Sequence, residues 1–229
     1  LKAATDYLRD KSEYLELEVK RRTRDIQKLQ DVTIEAMASL ALMRDNPRSR
    51  HLQRIERYMT CLAKALARQQ PALSGELDAE RIAQLGRSAM LHVLGRLTLP
   101  DRVLLSHGEP NEADLRLLQE GVTAGRDALE RAERKLGGSA GFLCDAKDIV
   151  YGQHERWDGK GYPQGLHGEQ IPLSARLMAL IGHFEELTCQ HPYLPRISPA
   201  QAVTQIGAAS GTRFDPMVVL AFVEATPQF

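Results

Sequence analysis

Apolar positions recur along this chain at helical spacing, and no stretch alternates with the period of two that a strand needs. Residues 5 to 44 contain no Gly or Pro and are dominated by Glu, Lys, Arg, Leu and Ala, so one long helix is predicted there. Leu15, Val19, Arg22, Ile26, Leu29, Thr33, Ala36, Leu40 and Met43 alternate at spacings of four and three. That is a heptad seam with Arg22 as its flaw. Pairing with a second copy of the chain, as a parallel homodimer, is the simplest way to bury it. The alternative is an amphipathic helix lying on its own domain.

The seam stops at Asn46-Pro47, and the pattern resumes as shorter helices. Helices are predicted over "HLQRIERYMTCLAKALARQ" and over "LDAERIAQLGRSAMLHVLG", with Asp78 as N-cap. "LPD" at 99 to 101 turns the chain. Asn111 caps a long helix that Gly137-Gly138 ends, and another lies near 140 to 152. "LSARLMALIGHFEELTCQ" is the most apolar and is predicted to be central. Ser198-Pro199 and Asp215-Pro216 start the last two. The expected fold is all-α, with about seven helices behind the long one. The expected domains are 1–44, a helical linker or coiled coil, and 45–229, the main domain.

Composition narrows the function classes. The 229 residues are 43% hydrophobic with zero formal net charge, enough for a packed core. The balanced charge gives no reason to expect nucleic acid or an anionic membrane as partner. No apolar run approaches the roughly 20 residues of a membrane-spanning helix. Cys61, Cys144 and Cys189 are scattered and odd in number, which suits a reducing cytoplasm. The chain starts without Met or a signal-peptide pattern and is expected to be part of something longer.

Candidate chemistry centres on seven histidines and one Gly-rich block. His51, His92 and His154 lie in or beside helices expected to pack together. A buried His is more often a satisfied core residue than a ligand. The block "HERWDGKGYPQGLHGEQIPLSAR", residues 154 to 176, carries the only Trp and is too long and too punctuated to be filler.

Together these residues resemble the HD-GYP family of cyclic di-GMP phosphodiesterases. The 154–176 block matches its most distinctive segment, including Gly161-Tyr162-Pro163. "LHVLGRLTLPD", "HLQR" and "SGTRFDP" resemble three further motifs in the same order. The resemblance covers about residues 35 to 225 and implies an HD-GYP-like helical bundle behind a coiled-coil helix. It also implies the output domain of a two-component response regulator.

In active members two or three metals, usually iron or manganese, activate water against a phosphodiester. Here the positions that the family gives to ligands hold Pro47, Val93, Gly121, Gln153 and Gly182. The family's lysines fall at Arg96 and Ser106. His51, His92 and His154 remain, with Arg96, as remnants. Neither His183 nor Glu185 is expected to compensate for Gly182, since a shift of one helical position rotates a side chain by about 100°.

The resemblance therefore implies a catalytically degenerate module with no catalytic residue or cofactor. Its surface at Trp157, Asp158, Gly161, Tyr162 and Pro163 would dock GGDEF-domain proteins. The bland reading is that those residues only shape the loop. Two alternatives stay open. One is a phosphodiesterase with a reduced site at His51, His92 and His154, holding a single divalent metal weakly. The other is a cyclic di-GMP receptor in which Arg96 and Arg176 meet phosphates. The bland role of Arg176 is a salt bridge that pins the loop.

Overall fold

The computed structural model describes residues 2–43, 50–73, 75–104, 111–135, 137, 141–189 and 196–229. Pro47, Ser106, His107 and His191 lie outside the described residues. So do the Asn46-Pro47 break and Gly138.

Among the described residues the chain forms nine α-helices and no strand, as the periodicity predicts. α1 spans Lys2–Leu42, α2 His51–Gln69 and α3 Ala79–Ala89. α4, Asp101–Leu104, is a single turn. α5 covers Glu112–Lys135, α6 Gly141–Gly152, α7 Leu173–Thr188, α8 Pro199–Ala208 and α9 Pro216–Ala225.

The caps explain several of the starts. The Asp78 side chain accepts from Arg81 N at 2.7 Å, and Asn111 Oδ1 accepts from Asp114 N at 2.9 Å. Ser198 and Gln201 form a capping box ahead of Pro199. Asp215 Oδ1 accepts from Met217 N at 2.8 Å.

One predicted helix changes character. The segment 77–95 was expected to stay α-helical, but Met90–Arg96 tightens into a 3-10 helix. There Gly95 lies against α5, backbone to backbone. A Cβ added to Gly121 would sit 2.5 Å from the Gly95 carbonyl oxygen. The tighter winding seats this turn on the glycine face of α5.

The core has two parts. The larger gathers Ile55, Leu62 and Leu66 of α2, Leu177 and Ile181 of α7 and Phe222 of α9. α7 is central, with Leu177, Met178, Leu180 and Ile181 all 0% exposed. The smaller part joins the 3-10 turn to α5 and α6 and takes in Ile34, Ala38 and Ala41 of α1. α1 therefore packs on the domain near its C-terminal end, through a face that the heptad seam does not use. Seam residues Leu15, Val19, Ile26, Leu29, Leu40 and Met43 stay exposed. Among the described residues no helix is long and apolar enough to cross a membrane.

Candidate functional site: a buried histidine pair beside a structured loop

His51 opens α2, directly after Arg50 in a left-handed conformation. His92 sits in the 3-10 turn. Their Nε2 atoms face each other at 3.3 Å, with ring centroids 5.3 Å apart. Leu52, Leu91 and Val93, their neighbours in sequence, belong to the smaller core, whereas Phe184 beside Glu185 belongs to the larger. The pair thus lies where the two cores meet.

The sequence reading did not expect Glu185 to replace a ligand at Gly182, and the structure places it against His51. Glu185 is 1% exposed and its Oε1 lies 3.0 Å from His51 Nδ1. Arg54, one turn along α2 from His51, donates to the same carboxylate at 2.6 and 3.0 Å. The rotation from Gly182 to Glu185 is nearly a full turn of helix, so both residues share one face of α7. Burial raises the Glu185 carboxyl, but hydrogen bonds from His51 and Arg54 outweigh it and hold it at about 2. Arg54 was legible in the sequence as the i+3 neighbour of His51.

Hydrogen-bond accounting assigns the hydrogens. His92 Nδ1 lies 2.8 Å from the Ala89 carbonyl, which only accepts, so that nitrogen carries the hydrogen. His92 Nε2 is then an acceptor and faces His51 Nε2 at 3.3 Å. Burial, with the His51 and Arg96 charges nearby, pushes His92 down to about 3, so it stays neutral.

The other positions with a family counterpart are occupied differently. Val93 is 1% exposed and part of the smaller core. Gly121 touches Gly95 as described. The Gln153 side-chain amide donates to His92 O at 2.9 Å. His154 is exposed and stacks on Tyr162, with centroids 4.9 Å apart and planes at 10°. The structure thus brings His51 and His92 together, and gives His154 a partner in the loop instead. Among the described residues no group of three or more His, Cys, Asp or Glu is arranged to hold a metal ion.

The loop after α6 is built from its own polar groups. Buried Glu155 accepts from Gln164 N at 2.7 Å and Leu166 N at 3.1 Å. Arg156 grips Asp158 at 3.0 and 2.7 Å, and Lys160 N adds 3.2 Å. The Arg156 bonds hold the Asp158 carboxyl at about 2. A Cβ on Gly161 would fall 2.4 Å from Arg156 N, so only glycine fits. The Tyr162-Pro163 peptide is cis.

The "SGTRFDP" segment supports the loop. Trp157 N donates to Arg213 O at 3.2 Å and Asp158 N to Thr212 O at 2.8 Å. Arg176 donates to Asp215 at 2.6 Å, the residue that also caps α9, and lies 5.8 Å from the Trp157 ring centre. Its Nε is buried without a hydrogen-bond partner.

Trp157, Asp158, Gly161, Tyr162 and Pro163 are all half-buried. The exposed loop positions are His154, Lys160, Gln164, Gly165, His167, Glu169 and Gln170, of which the sequence reading singled out only His154. Burial pushes the Tyr162 phenol up to about 12, against the pull of Arg96 and Arg213.

A family model described as HD domain matches residues 35–218. The chain belongs to the HD domain family. A probable cyclic di-GMP phosphodiesterase of Vibrio cholerae is 38% identical over 222 residues, covering 97% of this chain and 50% of its own length. A second Vibrio cholerae protein, a cyclic di-GMP phosphodiesterase, is 40% identical over 90% of this chain and 41% of its own length. The cyclic di-GMP phosphodiesterase response regulator RpfG of Xanthomonas campestris is 28% identical over 89% of this chain and 50% of its own length. These relatives support the HD-GYP branch. This HD-GYP chain spans about half the length, or less, of the curated relatives it matches. A crystal structure of a cyclic GMP-AMP specific phosphodiesterase of Vibrio cholerae shares its fold. The TM-score is 0.52 at 21% identity, over 85% of this chain and 48% of that one.

Proposed function

We propose that this chain is a catalytically degenerate HD-GYP output module in cyclic di-GMP signalling that acts through protein contacts. The observation that carries the reading is the donor set around the histidine pair. A cluster of two or three divalent metals needs carboxylates to bridge the ions and offset their charge. Among the described residues the carboxylate at the pair is Glu185, which is engaged by Arg54 and His51. Val93 and Gly182 offer no donor, and Gly121 has no room for a side chain against Gly95. Gln153 supplies a neutral amide already bonded to His92 O. This donor set does not fit a bridged metal cluster, so no hydrolytic step is derived through one.

The loop supplies the other half of the reading. Its internal bonds fix its shape and leave Lys160, Gln164, His167, Glu169 and Gln170 outward, as a docking surface for a GGDEF-domain protein. The test is metal content and turnover of the chain purified without chelators. Expected are fewer than two bound transition metals per chain, and no hydrolysis of cyclic di-GMP with added manganese or ferrous iron. Two or more tightly held metals, or turnover lost in His51→Ala and His92→Ala, would instead establish a reduced phosphodiesterase site.

A second reading is favoured by one feature. Arg96 and Arg213 bear on the stacked His154 and Tyr162 rings, a combination that suits an anionic, aromatic ligand. In that reading the module binds cyclic di-GMP without cutting it. In that reading Arg96 and Arg213, which both bear on Tyr162, are the phosphate contacts, and Arg176 holds Asp215. Calorimetric titration with cyclic di-GMP decides it, with no heat at physiological concentrations as the rejecting result.

A further inference from the structure

α1 has two apolar faces, and only one is covered. Ile34, Ala38 and Ala41 are at most 5% exposed against the smaller core. Asp31, ion-paired to Arg87, and Glu35, bonded to Gln53, flank that face. At about 100° per residue, the heptad seam falls on the opposite side of the helix. Ile26 is 58% exposed, Leu29 69%, Leu40 64% and Met43 72%. Among the described residues nothing covers those side chains.

We infer that this face pairs in parallel with α1 of a second copy of the chain. The residue types name the occupant. With Leu15 at d, the a positions are Val19, Ile26, Thr33 and Leu40, and the d positions are Leu15, Arg22, Leu29, Ala36 and Met43. Three of the four a residues are β-branched, and two d residues are Leu, the pattern that favours two parallel strands. Lys11 at g and Glu16 at the following e attract across a parallel pair. Near the domain, Val32 at g and Met37 at e are 64% and 50% exposed and widen the apolar contact. The seam runs for four heptads, a length of roughly 42 Å at 1.5 Å per residue and enough for a coiled coil.

Arg22 is the weak layer. It sits at d, with its side chain 74% exposed, tied to Glu18 of its own helix at 2.9 Å. Its charge opposes its own copy across the pair, so the dimer is weaker than the other layers allow. This inference concerns α1 alone and stands apart from the degenerate-site reading.

Light scattering on the 229-residue chain, run with circular dichroism, tests the dimer. The chain is expected at twice its monomer mass at micromolar concentration. The double variant Ile26→Asp with Leu29→Asp is expected to be monomeric with its helix signal retained. Arg22→Leu is expected to tighten the dimer about tenfold. Under mild oxidation Leu15→Cys is expected to cross-link rapidly, with Arg24→Cys, on the far side, no faster than the parent chain. An antiparallel pair would set Leu15 against Met43 and leave Leu15→Cys unlinked. A monomeric parent chain, a dimer that survives the double variant, or Leu15→Cys no faster than Arg24→Cys would overturn the inference.

Discussion

The histidine cluster and the 154–176 loop use the same kinds of polar residues to opposite ends. In the cluster, Glu185, Arg54, His51 and His92 bond to one another across the junction of two cores, and His92 also to the Ala89 carbonyl. Glu185, His51 and His92 are buried and Arg54 is half-buried, so each group depends on its partners to offset burial. In the loop, Glu155, Arg156 and Asp158 bond to backbone and near neighbours. That fixes a shape while leaving a row of side chains exposed. In the proposed reading the histidine cluster is organised as structure and the neighbouring loop as surface.

The sharpest way to break this contrast is Glu185→Ala. It strands His51 and Arg54 in a buried setting, and removing one partner of such a network costs about 3–5 kcal/mol. Urea unfolding measures it. A loss under about 1 kcal/mol would show the cluster to be incidental.

Acid comes next, because it reaches a histidine in each region, His92 at about 3 in the cluster and His154 at about 4 in the loop. The folded His92 value of about 3 lies below its ordinary 6.5, so the unfolded chain takes up the proton first as pH falls. That stability is complete above pH 6.5 and is lost progressively towards pH 3. Glu185, at about 2 against 4.5, has the same sign and loses its contribution between pH 4.5 and 2. Asp158 in the loop, at about 2 against 3.8, loses its contribution only below pH 3.8. Thermal melts from pH 8 to 4 should therefore soften from near pH 6.5 in the parent chain. A His92→Phe variant should reduce that slope and leave the part that His154, at about 4, contributes.

Gly161→Ala tests the loop's rigidity. The new Cβ would meet backbone at 2.4 Å, so a loss of about 2–3 kcal/mol is expected, at the upper end of ordinary point mutants. Hydrogen exchange should show the opening confined to 154–170, with the cluster protected. The smallest stability effect belongs to Lys160→Glu, an exposed change expected to stay within about 0.5 kcal/mol. Its readout is binding to a purified GGDEF-domain protein, which should weaken. Unchanged binding there and at Gln164→Ala would remove the docking role.

Much of the fold was legible because local rules agree with it. The absence of Gly and Pro over 5–44, the N-caps at Asp78, Asn111, Ser198 and Asp215, and the apolar run at 173–190 each predict a helix that the structure contains. The motif blocks were equally legible, because the spacing of Gly161-Tyr162-Pro163 and "SGTRFDP" is itself the signal. Glu185 was not. Its role depends on which face of α7 meets α2, and a comparison made position by position sees only that Gly182 lacks a side chain. The 3-10 turn at 90–96 was also hidden, since it arises from contact with α5 rather than from its own residues.

The sequence by itself determined the all-helical class, the family, the heptad face of α1 and the identity of the residues at each ligand position. These follow from period, caps and motif order, all of which are local. Tertiary packing alone decided that Glu185 closes on His51, that Gly95 and Gly121 meet backbone to backbone, and that Arg176 is held by Asp215. It also decided that α1 docks by Ile34, Ala38 and Ala41 and leaves its seam open. Each of these joins residues far apart in the chain or sets which face of a helix is covered, and burial then fixes which polar group must answer which.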